Sequence, residues 1–338
     1  MHAVRLAPTP RDTVHRDGNA SIYRFRPDGR PARVTGTHAP VLLVPSMINR
    51  WYAVDLRKGA SLAAALTADA PWETYCLDWG VPGDEDRYTT WDDIVARLDR
   101  AVRFVLRETG APQVTLIGYS MGATLSAIET ALHPSRIAAL VNMAGPIDFH
   151  EAGRLATMVD ARWFDPAAMT AAGNISAAQM QNGFLALAPT HSLARLVGML
   201  DNRHDPEARE AFEALERWGR DNVAFPAAAY VTYIKELYQE NRLIKGEHWI
   251  GGKRVDLGRI RCPVLTVVAD RDGVCMPQSS IALNERVSSK VKDVVQVSGG
   301  HISGFMSRHA AEELYPKMVS WLRQHAVRQP APAPESRL

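Results

Sequence analysis

The sequence predicts an α/β protein in which a mostly parallel sheet carries helices on both faces and one helical insertion interrupts the series. Three observations predict it. Short apolar runs of strand length recur along the chain. Amphipathic helical patterns separate several of them. The alternation then stops between about Phe149 and Lys245, where every pattern is helical.

Taken in order, residues 1–38 are polar and rich in Arg, Pro and Gly, and read as an N-terminal extension. Within them Ser21–Phe25 has the character of an edge strand. The runs Val41–Val44, Thr74–Leu77, Val114–Ile117, Ile137–Met143, Val264–Ala269 and Val294–Val297 have the length and β-branched content of buried strands. Asp92–Thr109 is the clearest helix, with Ile94, Leu98, Val102, Val105 and Leu106 along one face. Thr90 is its N-cap, Asp93 the capping-box partner, and Gly110 and Pro112 end it. A second helix runs from Met121 to Leu132 and stops before Pro134. Ser192–Leu200 and Glu207–Trp218 are amphipathic pieces of the insertion, which at residues 149–245 reads as a cap over one end of the sheet. The core is then 39–148 and 246–325. The Pro-rich tail, 326–338, is expected to be disordered.

Composition excludes more than it identifies. The 338 residues are 46% hydrophobic and 22% charged, so disulfide-scaffold, collagen-like and wholly disordered classes are out. Thirty-nine basic against 37 acidic residues leave a formal charge of +2, which gives no electrostatic reason to expect nucleic acid or an anionic membrane as partner. No run approaches 18 apolar residues, so no membrane span is expected. The first ten residues hold no apolar h-region, and Cys76, Cys262 and Cys275 do not suggest a disulfide framework, so the expected location is cytoplasmic. No Cys or His pair has metal-ligand spacing and no G-x-G-x-x-G follows a strand. Neither a metal nor a nucleotide cofactor is expected.

The decisive segment is Val114–Gly122, which places Gly118-Tyr119-Ser120-Met121-Gly122 between a strand and a helix. This is the context of a nucleophile elbow. The nucleophile sits on a strained turn, and neighbouring backbone approaches too closely for a Cβ at the flanking glycines. A nucleophilic serine needs a base and an orienting acid, which follow here in the order Ser, acid, His. His301, in the loop Ser298–Gly304 after a late strand, is the base; His133, His150 and His248 are less well placed. Two carboxylates compete for the acid. Asp272, in the turn before Pro277, is preferred to Asp270, which caps or pairs with Arg271. The oxyanion donors are the N–H of Met121 and one from the turn after the first strong strand, with Met47 chosen and Ser46 or Ile48 open. Asp78-Trp79-Gly80 either lines the pocket or forms a strand-end turn over Trp79. Cys275 reads as a buried, inert thiol.

Several segments in series carry a resemblance. They are Asn49-Arg50 with Tyr52 and Val54-Asp55-Leu56, Asp78-Trp79-Gly80, Asp86-Arg87-Tyr88, Thr130–Pro134, Gly145–Phe149, Leu237–Gly246, Ile250–Leu257 and Gly299-Gly300-His301. Over roughly residues 40–322 the chain resembles the catalytic subunit of class III polyhydroxyalkanoate synthases, a branch of the α/β-hydrolase superfamily. The resemblance implies an α/β-hydrolase fold and acyl transfer from 3-hydroxyacyl-CoA under a helical cap. It places the nucleophile at Ser120, the acid at Asp272 and the base at His301. At the nucleophile position the family has Cys and this chain has Ser. The expected activity is therefore a serine acyl enzyme on 3-hydroxyacyl thioesters or esters, by hydrolysis or acyl transfer, with acyl-CoA as substrate rather than cofactor. A genuine synthase using Ser, or a non-catalytic relative that binds a synthase or a polymer granule, are the alternatives. The resemblance also admits a homodimer or a synthase-type partner subunit, and a place at the polymer granule.

Overall fold

A computed structural model describes residues 4–26, 36–68, 70–187 and 204–328. Eight strands form one sheet: β1 (Arg11–Asp17), β2 (Ala20–Phe25), β3 (Val41–Val44), β4 (Thr74–Asp78), β5 (Val114–Tyr119), β6 (Ile137–Met143), β7 (Val264–Ala269) and β8 (Lys292–Val297). Their spatial order is β1-β2-β4-β3-β5-β6-β7-β8. β4 to β8 and β3 are parallel, whereas β1 and β2 join antiparallel at one edge.

The central strands are buried throughout because both faces are covered. Along β3, Leu42 and Val44 enter the apolar layer that includes Ile94, Leu98 and Val102 of α2 (Trp91–Thr109), the helix that follows α1 (Leu62–Thr67) in the chain. Val41 and Leu43 point the other way, toward Met318 and Leu322 of the Tyr315–His325 helix. Side chains alternate across a strand, so one apolar run feeds two layers. Leu98 is fully buried, and truncating such a leucine to alanine costs about 2–5 kcal/mol. α2 starts where its caps require. The Asp93 N–H donates to Thr90 Oγ1 at 3.1 Å, the Thr90 N–H donates to Asp93 Oδ2 at 2.9 Å, and Gly110 ends the helix at φ 62°. α3 (Met121–Leu132) is buried along its whole length and stops before Pro134.

Three expectations need correction. Residues 1–38 are not simply an extension, since they supply β1 and β2, with Ser21 opposite Asp78 in β4. Ser21–Phe25 is not an edge strand either, because β1 lies outside it. β1 was invisible to a search for apolar runs because its side chains are all exposed or half-buried. At the other end, Val327 bridges His38 and the Arg328 N–H donates to Thr37, so the first residues of the tail are tied to the core. Residues 329–338 lie outside the described residues.

Between β6 and β7 the described residues form the helices Arg154–Met158, Pro166–Met169, Ala177–Leu187, Pro206–Arg220, Ala227–Thr232, a π-helical turn Tyr233–Gln239, and Arg242–Lys245, followed by a short antiparallel pair, Trp249–Ile250 with Lys253–Arg254. The amphipathic piece expected at Glu207–Trp218 lies within Pro206–Arg220. The piece expected at Ser192–Leu200 falls outside the described residues. Asn241, at φ 53°, ties the two ends of this segment together. Its Oδ1 accepts the Phe149 N–H at 2.9 Å, and its Nδ2 donates to Asp148 Oδ1 at 2.7 Å.

Candidate active site

Ser120 lies between β5 and α3 at φ 55°, ψ −127°, a conformation that costs a non-glycine residue about 1–3 kcal/mol. The surroundings hold it there. The Ser120 N–H donates to the Met143 carbonyl at 2.9 Å. A Cβ on Gly118 would lie 2.3 Å from Ala123 Cα, and one on Gly122 would lie 2.0 Å from the Val44 carbonyl oxygen. Only glycine fits at either place, so the G-x-S-x-G spacing is steric in origin.

His301 follows β8 in a tight loop. Its Nε2 lies 3.0 Å from Ser120 Oγ and its Nδ1 lies 2.7 Å from Asp272 Oδ2. Asp272, in the turn after β7, has a fully buried carboxylate. Its Oδ1 accepts the N–H groups of Val274 and Cys275, each at 2.9 Å. Asp270 turns elsewhere. It accepts the Gly299 N–H at 2.8 Å and lies 3.5 Å from Arg271 Nε. The Gly299 bond, ahead of Arg271, holds this exposed carboxyl below its usual range. Asp270 thus fixes the start of the His301 loop, while Asp272 meets the imidazole.

Tyr119 fastens the same loop from below, its hydroxyl donating to the His301 carbonyl at 2.7 Å. It is buried, and desolvation pushes its phenol well above the usual range, so it acts as a fixed donor. Sequence reasoning missed it. Tyr119 occupies a free position of the elbow pattern, and its partner is 182 residues away.

Met121 opens α3, where the first backbone N–H groups have no intrahelical acceptor. Met47 is buried in the turn after β3, and that turn approaches α3 through the carbonyls of Val44 and Pro45 beside Gly122. Trp79 supports the turn, its Nε1 donating to the Pro45 carbonyl at 2.9 Å. Asp78-Trp79-Gly80 is therefore a strand-end turn, and Met47 and Trp79 also line a shallow cleft with Ile94, Arg97 and Pro226.

The other candidates have separate partners. Cys275 is buried, 3.3 Å from Ser280 Oγ, and burial, then Asp272, pushes its thiol up to about 12. His133 pairs with Glu129 at 2.9 Å, His248 with Glu236 at 3.0 Å, and exposed His150 reaches the Gln239 carbonyl at 3.4 Å. Asp99, Glu129 and His133 place ligand atoms within 4.8 Å of one another, but Arg103 and Arg136 already pair with Asp99.

Chemically, this arrangement can activate a hydroxyl, hold the imidazolium that results, and offer backbone donors to an oxyanion. Known proteins agree on the fold. Residues 40–306 match the family model of the alpha/beta hydrolase fold. The chain is 31% identical over 325 residues to the poly(3-hydroxyalkanoate) polymerase subunit PhaC of Allochromatium vinosum, covering 95% of this chain and 90% of that one. It is 28% identical over 327 residues to the corresponding subunit of Haloferax mediterranei, of which it spans 65%. Among solved structures, the thioesterase domain from the curacin biosynthetic pathway superposes with a TM-score of 0.51 at 14% identity, over 93% of this chain and 99% of that domain. That likeness speaks for the fold alone. The chain belongs to the α/β-hydrolase fold family and, within it, to the family of PhaC poly(3-hydroxyalkanoate) polymerase subunits, enzymes of the hydrolase or acyltransferase kind.

Proposed function

We propose that the protein is a serine acyl enzyme acting on 3-hydroxyacyl thioesters or esters, with Ser120 as nucleophile, His301 as base and Asp272 as the orienting acid. One observation carries the proposal: the unbroken hydrogen-bond chain from Ser120 through His301 to Asp272, at 3.0 and 2.7 Å, set on a strained elbow. Ser120 Oγ attacks the acyl carbonyl carbon as His301 Nε2 takes its proton. The N–H groups of Met121 and Met47 hold the oxyanion, and each such donor contributes about 3 kcal/mol to the transition state. The carbon–sulfur bond then breaks. The CoA sulfur leaves with the proton from His301, and an acyl-Ser120 ester remains. Water, or the hydroxyl of another substrate, gives its proton to His301 and attacks the ester, and Ser120 recovers its hydroxyl.

The resemblance implies a cysteine nucleophile at the position where this chain has Ser120. A serine ester is less activated than a thioester and is harder to pass to another alcohol. This supports hydrolysis or single acyl transfer over repeated chain growth. The described helical segment within residues 149–245 is the cap of this reading, supported by its contacts with Ile48 and Asn49 beyond the carboxyl end of β3 and with Asp148 beyond that of β6. Polymerisation by Ser120 remains a second reading, favoured by the 31% identity to a polymerase subunit. The test is CoA release from 3-hydroxyacyl-CoA with product analysis. Release without polymer that is lost in Ser120→Ala supports hydrolysis or single transfer, polymer supports the second reading, and unchanged release by Ser120→Ala overturns both.

A further inference from the structure

The segment Asn49–Leu56 stands out in the sequence, yet none of its side chains enters the chemistry above. The structure gives it neighbours in the helical segment. Trp218 Nε1 donates to the Arg50 carbonyl at 3.0 Å, and the Tyr52 hydroxyl donates to the Asp221 carboxylate. Asn49 and Asn222 form an isolated antiparallel bridge, with Asn49 Nδ2 donating to Asn222 Oδ1 at 2.6 Å. The Val223 N–H donates to the Ile48 carbonyl at 3.3 Å. Trp218 and Val223 are buried, and the Asn222 amide is fixed further by donating to the Gly219 carbonyl at 3.1 Å.

These contacts begin one residue after Met47. On the other side of Met47, Trp79 holds the Pro45 carbonyl and Gly122 packs against the Val44 and Pro45 carbonyls. The turn is thus clamped on one side by the sheet and α3, and on the other by residues 218–223. A donor inside such a turn needs no reorganisation at the moment of reaction, whereas displacement by about 1 Å costs on the order of 100-fold in rate.

We propose that Asn222, acting through Asn49, is a positioning residue that sets the oxyanion turn, so that full catalytic power exists only when residues 218–223 are docked on residues 48–52. The proposal rests on the serine acyl-enzyme reading. It goes further in making the cap a working part of the oxyanion hole rather than only a cover.

The test uses the full chain with Asn222→Ala, Asn222→Asp and Trp218→Phe. Asp keeps the acceptor for Asn49 Nδ2, and Phe keeps an aromatic ring while losing the bond to Arg50 and part of the buried indole's volume. Two readouts separate positioning from folding. The stoichiometry of fluorophosphonate labelling at Ser120 counts folded sites, and the labelling rate and kcat report the oxyanion hole. For Asn222→Ala the expected result is one label per chain, a labelling rate and kcat lower by about 10- to 100-fold, and KM within about two-fold. Asn222→Asp should recover most of the rate, and Trp218→Phe should fall between. Unchanged rates at full stoichiometry, or a loss confined to stoichiometry or to KM, would overturn the positioning role. A parent chain that takes no label at Ser120 overturns the serine acyl-enzyme reading itself, and this inference with it.

Discussion

Replacing Asp272 with asparagine removes one charge and keeps the shape of the side chain. In the structure Oδ1 faces two backbone donors, Val274 and Cys275, and Oδ2 faces His301 Nδ1. An asparagine has one acceptor oxygen, and two N–H groups at 2.9 Å will claim it. The amide NH2 must then face His301. It can donate only if Nδ1 gives up its proton, so the imidazole carries its proton on Nε2. That proton points at Ser120 Oγ, and the ring can no longer act as a base. The expected loss is about 10⁴-fold in kcat, which corresponds to roughly 5 kcal/mol of transition-state stabilisation. The magnitude follows the serine-protease precedent for this exchange, and the tautomer is dictated by the hydrogen bonds that Asp272 makes. CoA release from 3-hydroxyacyl-CoA, followed continuously, measures it. Asp270→Asn is the control, because Asp270 meets Gly299 and Arg271 rather than the imidazole, and its kcat should change less than about ten-fold. An Asp272→Asn variant that keeps a tenth of the parent activity, or an Asp270→Asn variant that loses more, would refute the assignment of the acid.

Other outcomes follow from the packing. Gly122→Ala places a Cβ 2.0 Å from the Val44 carbonyl oxygen, so it should destabilise the fold by more than about 3 kcal/mol or abolish soluble expression; a variant with the parental melting temperature contradicts the close approach. Burial, opposed by His133, raises the Glu129 carboxyl above its ordinary range. Its contribution to stability is therefore full below the unfolded value near 4.5 and is lost as pH rises through the folded value. Glu129→Gln should flatten that slope in urea unfolding measured across this range, and an unchanged slope contradicts it. Cys76, Cys262 and Cys275 are all buried, so a thiol-directed reagent should label none of them before unfolding, and rapid labelling of the native protein contradicts this.

What the sequence makes legible is what local chemistry encodes. Ile137–Met143 and Val264–Ala269 have the same ends in the sequence reading and in the structure, because strands buried on both faces appear as apolar runs broken only by Asn142 and Thr266. The capping box at Thr90 and Asp93 is similarly local. Ser120, His301 and Asp272 could be singled out because elbow sterics demand glycines and the fold orders the partners along the chain. β1 escaped because an outer strand needs no apolar face. The π-helical turn at Tyr233–Gln239 escaped because one inserted residue hardly alters helical periodicity. Tyr119 and Asn222 escaped for another reason. Their roles depend on partners 182 and 173 residues away, and no spacing within the chain marks such a pair.

The central claim is that Ser120 carries the acyl group. Mass spectrometry of the intact protein after rapid mixing with 3-hydroxyacyl-CoA tests it most directly. The account expects a mass increase of one acyl group, mapped by peptide fragmentation to Ser120, accompanied by free CoA and absent from Ser120→Ala. An adduct on another residue, or CoA release that persists undiminished in Ser120→Ala, would contradict it.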